Sequence, residues 1–137
     1  MKKFLGLEVP YISAIGELLY VSSHTRPGIS HYINLLAGFS SCLTRKYWNG
    51  IKHVLCYLQG TKDMCLFFPN LSKEGLVGFE DVGYLSDPHN GMSQIGYVIT
   101  CGGTAISWRS TKQTITATSC NHSKILAIHE ASLNVYD

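Results

Sequence analysis

Apolar residues recur at two different periods along the chain, and the change from one to the other divides it. In the first sixty residues they fall three and four apart, the spacing of one helical face. Tyr11, Ala14, Ile15, Leu18 and Leu19 form one stripe after Pro10, and Ile29, Tyr32, Ile33 and Leu36 form another after Pro27. Proline is tolerated in a first helical turn, where its missing N–H has no partner to lose, so both prolines predict helix starts. A third helix is predicted with Thr44 as its cap; it carries Tyr47, Ile51, Val54, Leu55 and Leu58, and Gly60 ends it.

Beyond Gly60 the period becomes two. Met64, Leu66 and Phe68 alternate, as do Val77, Phe79 and Asp81, then Ile95, Tyr97 and Ile99, then Thr104, Ile106 and Trp108. These are strand signals, separated by loops at Asn70 to Gly75 and Asp87 to Gly91 and by a tight hairpin turn at Gly102-Gly103. Helical spacing returns in "ATSCNHSKILAIHEA", where Lys124, Ile128, Ala131 and Val135 share a face. Lys124 thus heads an apolar stripe and is expected to point at whatever that stripe packs on. The pattern predicts a mixed α/β chain, helical first and then sheet plus helix, with a boundary between Gly60 and Gly75.

Composition adds limits. With 137 residues there is room for one domain or two small units. Hydrophobic residues make up 45% and charged ones 15%, which excludes a disordered polyelectrolyte and leaves few solvating charges. A formal net charge of +2 is too small to argue nucleic-acid binding by itself. Five cysteines without a C-x-x-C pair argue against a closed disulfide framework and for a reducing, intracellular compartment, cytoplasmic or nuclear. Glu8 and Pro10 interrupt the apolar start before a signal peptide can form, and no run approaches membrane-spanning length.

Few residues suggest chemistry. No glycine-rich stretch ends in Lys-Ser or Lys-Thr between a strand and a helix, so a phosphate loop is not expected. His122 and His129 share a helix but lie seven residues, about 10 Å, apart along its axis, too far to chelate one ion. Asp81 is the candidate carboxylate. It ends a strand whose same-face neighbours are apolar, a position where it either begins a turn or is held by a ligand at the rim of a core.

Several long motifs resemble one family, the Ty1/copia-type retrotransposon Pol polyproteins of plants. "PYISAIGELLY", "TRPGISHYINLLAGFS" and "YWNGIKHVLCYLQGTKD" are similar to the segment joining the family's reverse transcriptase to its ribonuclease H domain. "LVGFEDVGYLSDPHNGMSQIGYVITCGGTAISWRSTKQTITATSCNHSKILAIHEAS" resembles the first half of that ribonuclease H. The resemblance implies a helical connecting segment over residues 1–62 and an incomplete ribonuclease H-like unit over 63–137, with an antiparallel three-stranded sheet and its first helix. Asp81 aligns with the first metal-binding aspartate. The family's Ser-Ser-x-x-Ala-Glu pattern supplies a second ligand from that helix, and aligned on Ser119 its glutamate position is Lys124. The family implies Mg²⁺ as cofactor and an RNA–DNA hybrid as substrate. An ammonium repels such ions and offers Asp81 an ion pair in their place, so the site is expected to be incomplete, with Asp81 as its sole ligand.

The expectation is therefore a remnant of a copia-type polyprotein without catalysis. An alternative is residual nucleic-acid binding through Arg45, Lys46, Lys52, Arg109 and Lys112, with Trp48 and Trp108 near them. A second alternative is a protein partner covering an exposed sheet edge. Copia-derived fragments are also labelled as secreted effectors, but the missing signal peptide and Arg-x-Leu-Arg motif speak against secretion.

Overall fold

The computed structural model describes residues 5–41, 43–68, 70, 75–83, 92–113, 115 and 117–133. They form two compact units, Met1–Leu66 and Phe67–Asp137. Among the described residues the architecture is mixed α/β, with four α-helices and one three-stranded antiparallel sheet.

The first unit is helical. Helix α1 (Leu5–His24) starts ahead of the expected point and carries Pro10 within it. Proline at this position takes one N–H from the Gly6 carbonyl, a loss confined to the end of the helix. A 3₁₀ turn at Pro27–Ile29 leads into α2 (Ser30–Ala37), and α3 spans Arg45–Gly60. Tyr11, Ile15 and Leu18 of α1 meet Ile29, Ile33, Ile51 and Val54 in one buried cluster. Ile33 is 0% exposed, and burying such a side chain contributes roughly 1.5–3 kcal/mol. Two expected core residues lie outside: Tyr32 is 65% exposed and Leu55 is half exposed. Each sits at the margin of its stripe, and three short helices enclose only the stripe's centre.

Long-range hydrogen bonds tie this unit together. The Tyr11 hydroxyl donates to the Leu36 carbonyl at 2.9 Å, joining α1 to α2, and burial raises the Tyr11 phenol above its usual pKa, with Tyr47 adding to the shift. Arg26 donates from Nη2 to the Thr61 carbonyl at 2.8 Å, joining the 3₁₀ turn to the end of α3. Thr44 occupies the expected cap position in an extended conformation, but its side chain makes no capping hydrogen bond. Its carbonyl instead accepts from the N–H groups of Tyr47 and Trp48.

In the second unit, strands β1 (Leu76–Gly83), β2 (Gln94–Cys101) and β3 (Thr104–Lys112) pair in sequence order. Gly102 and Gly103 have φ of 59° and 77°, the left-handed pair that a two-residue hairpin turn demands, as the sequence predicts. Residues 64–68 are not a strand. Alternation alone does not make one, because the backbone needs a ladder partner, and among the described residues the three strands pair only with one another. The expected loops at 70–75 and 87–91 lie almost wholly outside the described residues.

Helix α4 (Cys120–Leu133) packs against β1 and β2. Ser119 caps it, its Oγ accepting the His122 N–H at 3.1 Å. The buried positions are Ser123 and Ala127, so the packed face is turned one residue from the expected stripe. Lys124 and Ile128 are exposed, and Val135 lies outside the described residues. The reason is polar. Gln113 Nε2 donates to the Ser123 carbonyl at 3.0 Å, and the Thr111 hydroxyl donates to Glu130 Oε1 at 3.3 Å. Both bonds hold the Ser123–Ala127–Glu130 side towards β3, and two small residues there allow close approach.

Candidate functional site

Register decides what the sheet can present. On one face Ile95, Tyr97 and Ile99 of β2 are buried. Thr111 pairs with Ile95, and its bond to Glu130 shows that this is the face covered by α4. Asp81 pairs with Gly96, which lies between Ile95 and Tyr97, so its side chain belongs to the opposite face. There it neighbours Phe79, 61% exposed, and Val77, 47% exposed. Asp81 is itself exposed. The expected placement at the rim of a core is therefore corrected: β1 is an edge strand, and the face that carries Asp81 is not the helix-covered one.

Lys124 corrects with it. An exposed residue on α4 stands over the opposite side of the sheet, and Asp81 and Lys124 form no ion pair among the described residues. The geometry gives no sign of the expected ammonium-for-metal exchange. Nor do the residues fit a divalent ion: among those described, no three His, Cys, Asp or Glu side chains converge. A hard cation needs several oxygen ligands, and a lone exposed carboxylate offers at most two.

The basic residues separate as well. Arg109 pairs with Tyr97 and Lys112 with Gln94, so they belong to opposite faces of the sheet and do not form one patch. In the first unit Arg45, Lys46 and Lys52 are all exposed on α3. Arg45 and Lys52 line a groove of about 240 Å³ together with Tyr11, Leu43, Thr44, Trp48 and Asn49, whereas Lys46 does not. Trp48 packs against the buried ring of Tyr11 at 6.2 Å between centroids, with the planes tilted by 41°.

Charge is divided unevenly between the two units. Divided at Leu66, the first unit holds seven Lys and Arg against three Asp and Glu, and the second holds four against six. The small net charge conceals a helical unit at +4 and a sheet unit at −2.

Comparison with known proteins adds the lineage. Over 123 residues the chain is 37% identical to the retrovirus-related Pol polyprotein from transposon TNT 1-94 of Nicotiana tabacum, matching 90% of this chain and 9% of the polyprotein. It is 30% identical over 121 residues to the transposon Ty1-NL2 Gag-Pol polyprotein of Saccharomyces cerevisiae, matching 85% of this chain and 7% of that one. The chain belongs to the Ty1/copia-type retrotransposon Pol family. It spans less than a tenth of the length of these two polyproteins. A third relative has nearly the same extent as this Ty1/copia chain: secreted RxLR effector protein 161 of Plasmopara viticola, 35% identical over 124 residues, 90% of this chain and 87% of that protein. No family model matches this Ty1/copia chain, and no solved structure does. Among its described residues no helix is long and apolar enough to cross a membrane.

Proposed function

We propose that this Ty1/copia chain is a remnant of the polyprotein's reverse transcriptase and ribonuclease H region, and that its sheet unit retains part of a ribonuclease H-like shape without hydrolysing RNA–DNA hybrids. The observation that carries the reading is Lys124, which stands where the resembling enzymes keep a metal-binding glutamate. The register supports it independently. A two-metal reaction needs carboxylates converging on ions about 4 Å apart, and Asp81 lies on the sheet face opposite α4. Neither replacing nor keeping one residue restores such a site.

The test is hydrolysis of the RNA strand of a labelled hybrid in Mg²⁺ and separately in Mn²⁺. The expected result is the same background for the chain and for Asp81→Asn. Cleavage abolished by Asp81→Asn would sink the proposal.

A second reading, residual nucleic-acid binding, draws on the charge distribution. The helical unit carries +4 and presents Arg45 and Lys52 on one groove. Binding of a fluorescent hybrid that weakens steeply with salt is expected if phosphates are contacted. Binding that does not respond to salt refutes that reading.

A further inference from the structure

The groove on α3 has a chemistry that neither the lineage nor the sheet explains. Arg45, Trp48, Asn49 and Lys52 follow one another at three, one and three residues, which puts all four on one side of the helix. A helix surface built only for solubility alternates charge sign or scatters it. This side instead brackets an indole with two cations, and the first turn of α3 contains no acidic residue. The side chains of Arg45, Asn49 and Lys52 make no hydrogen bond or ion pair among the described residues, and all three residues line the groove.

Its floor is fixed. Tyr11 is 1% exposed and anchored by its hydroxyl to Leu36, and Trp48 leans on the Tyr11 ring. An indole held in this way presents a flat apolar surface without further ordering cost. The groove's volume of about 240 Å³ is below the ~300–1,000 Å³ of pockets for drug-sized ligands, so it suits one group with its neighbour on the rim.

We propose that this groove binds one nucleotide unit, its phosphate held between Arg45 and Lys52 and its base stacked on Trp48. Arginine and lysine supply the charge-assisted donors a phosphate needs, and an aromatic face accepts any base. Asn49 adds a donor and an acceptor for a sugar or base edge. The inference deepens the nucleic-acid reading above by assigning its contact to a single groove. The unit comes either from a free mononucleotide or from a single strand, and the two sources are separable.

The experiment uses the full chain. Deoxyadenosine monophosphate is titrated while tryptophan emission is followed, and the part of the quench missing in Trp48→Phe belongs to that indole. A labelled eight-residue deoxyadenosine strand is followed by anisotropy across a salt series. In the Arg45→Gln/Lys52→Gln double variant, whose substituted side chains are exposed and whose helicity is checked by circular dichroism, mononucleotide affinity is expected to fall at least tenfold. Its log–log salt slope for the strand is expected to shrink by about 0.7, since losing one phosphate contact on a single strand removes about that much. Trp48→Ala, its helicity checked in the same way, should weaken strand binding roughly fivefold or more. If the strand binds in a salt-sensitive way but the double variant changes neither affinity nor slope, the groove assignment is wrong while the broader reading stands. If the strand does not bind yet the mononucleotide quenches Trp48 in a cation-dependent way, the broader reading fails and the groove stands as a mononucleotide site. Equal quenching by inorganic phosphate alone overturns the stacking half of the proposal.

Discussion

Tyr11→Phe removes one oxygen from the centre of the helical unit and tests how α1 is tied to α2. The lost bond is the 2.9 Å donation from the phenol to the Leu36 carbonyl. A net intramolecular hydrogen bond contributes about 0.5–1.5 kcal/mol, more when the abandoned partner is left buried and unsatisfied. Here the carbonyl is not abandoned, because it also accepts the Phe39 N–H at 3.1 Å. The expected loss is therefore about 1 kcal/mol, whereas Tyr11→Ala, which also empties a site 1% exposed, should cost about 4 kcal/mol. Urea denaturation followed by Trp48 emission in a Trp108→Phe background reads the helical unit specifically, since the chain has two tryptophans.

The same pair of proteins carries a pH prediction. Burial raises the folded pKa of the Tyr11 phenol above its ordinary value, with Tyr47 adding to the effect. Above pH ~10 the unfolded chain releases the proton while the folded chain retains it, so the unfolded state binds fewer protons and stability falls as pH rises. The contribution is fully present below that pH and is lost on the way to the folded pKa. Tyr11→Phe should show a shallower alkaline decline than the parent. If the two denature alike at neutral pH and decline alike above 10, the phenol neither bonds Leu36 nor is held protonated by its surroundings, and the reasoning fails.

Three further outcomes follow from other positions. Ile33→Ala, at a side chain 0% exposed, should destabilise the helical unit by about 2–5 kcal/mol in the same urea assay, and a change under 1 kcal/mol would mean the site is not enclosed. Gly103→Ala forces a Cβ onto a backbone with φ of +77° and should cost the hairpin about 1–2 kcal/mol, read from Trp108 emission in a Trp48→Phe background; no loss would exclude the two-residue left-handed turn. Lys124→Glu should restore no hybrid hydrolysis, because α4 covers the sheet face opposite Asp81; metal-dependent cleavage by that variant would contradict the register.

The helical half was largely legible because its signals are local. Tyr11, Ile15, Leu18, Ile33, Ile51 and Val54 are named by spacing alone and are all buried. Gly102-Gly103 likewise announces its turn, since backbone sterics admit few residues there. The lineage is also carried in the order of residues.

Tertiary structure decided the rest, because burial on a strand or a single-sided helix depends on what lies opposite. The alternation of Met64, Leu66 and Phe68 is as regular as that of Ile95, Tyr97 and Ile99, yet only the second has strands on both sides and α4 above it. Lys124 heads a stripe by period, but Gln113 and Thr111 hold the helix by its Ser123 and Glu130 side, and the lysine turns to solvent. Asp81 likewise takes its face from a ladder partner 15 residues away, Gly96. Periodicity fixes which residues share a face; only the partners across space determine which face is inside.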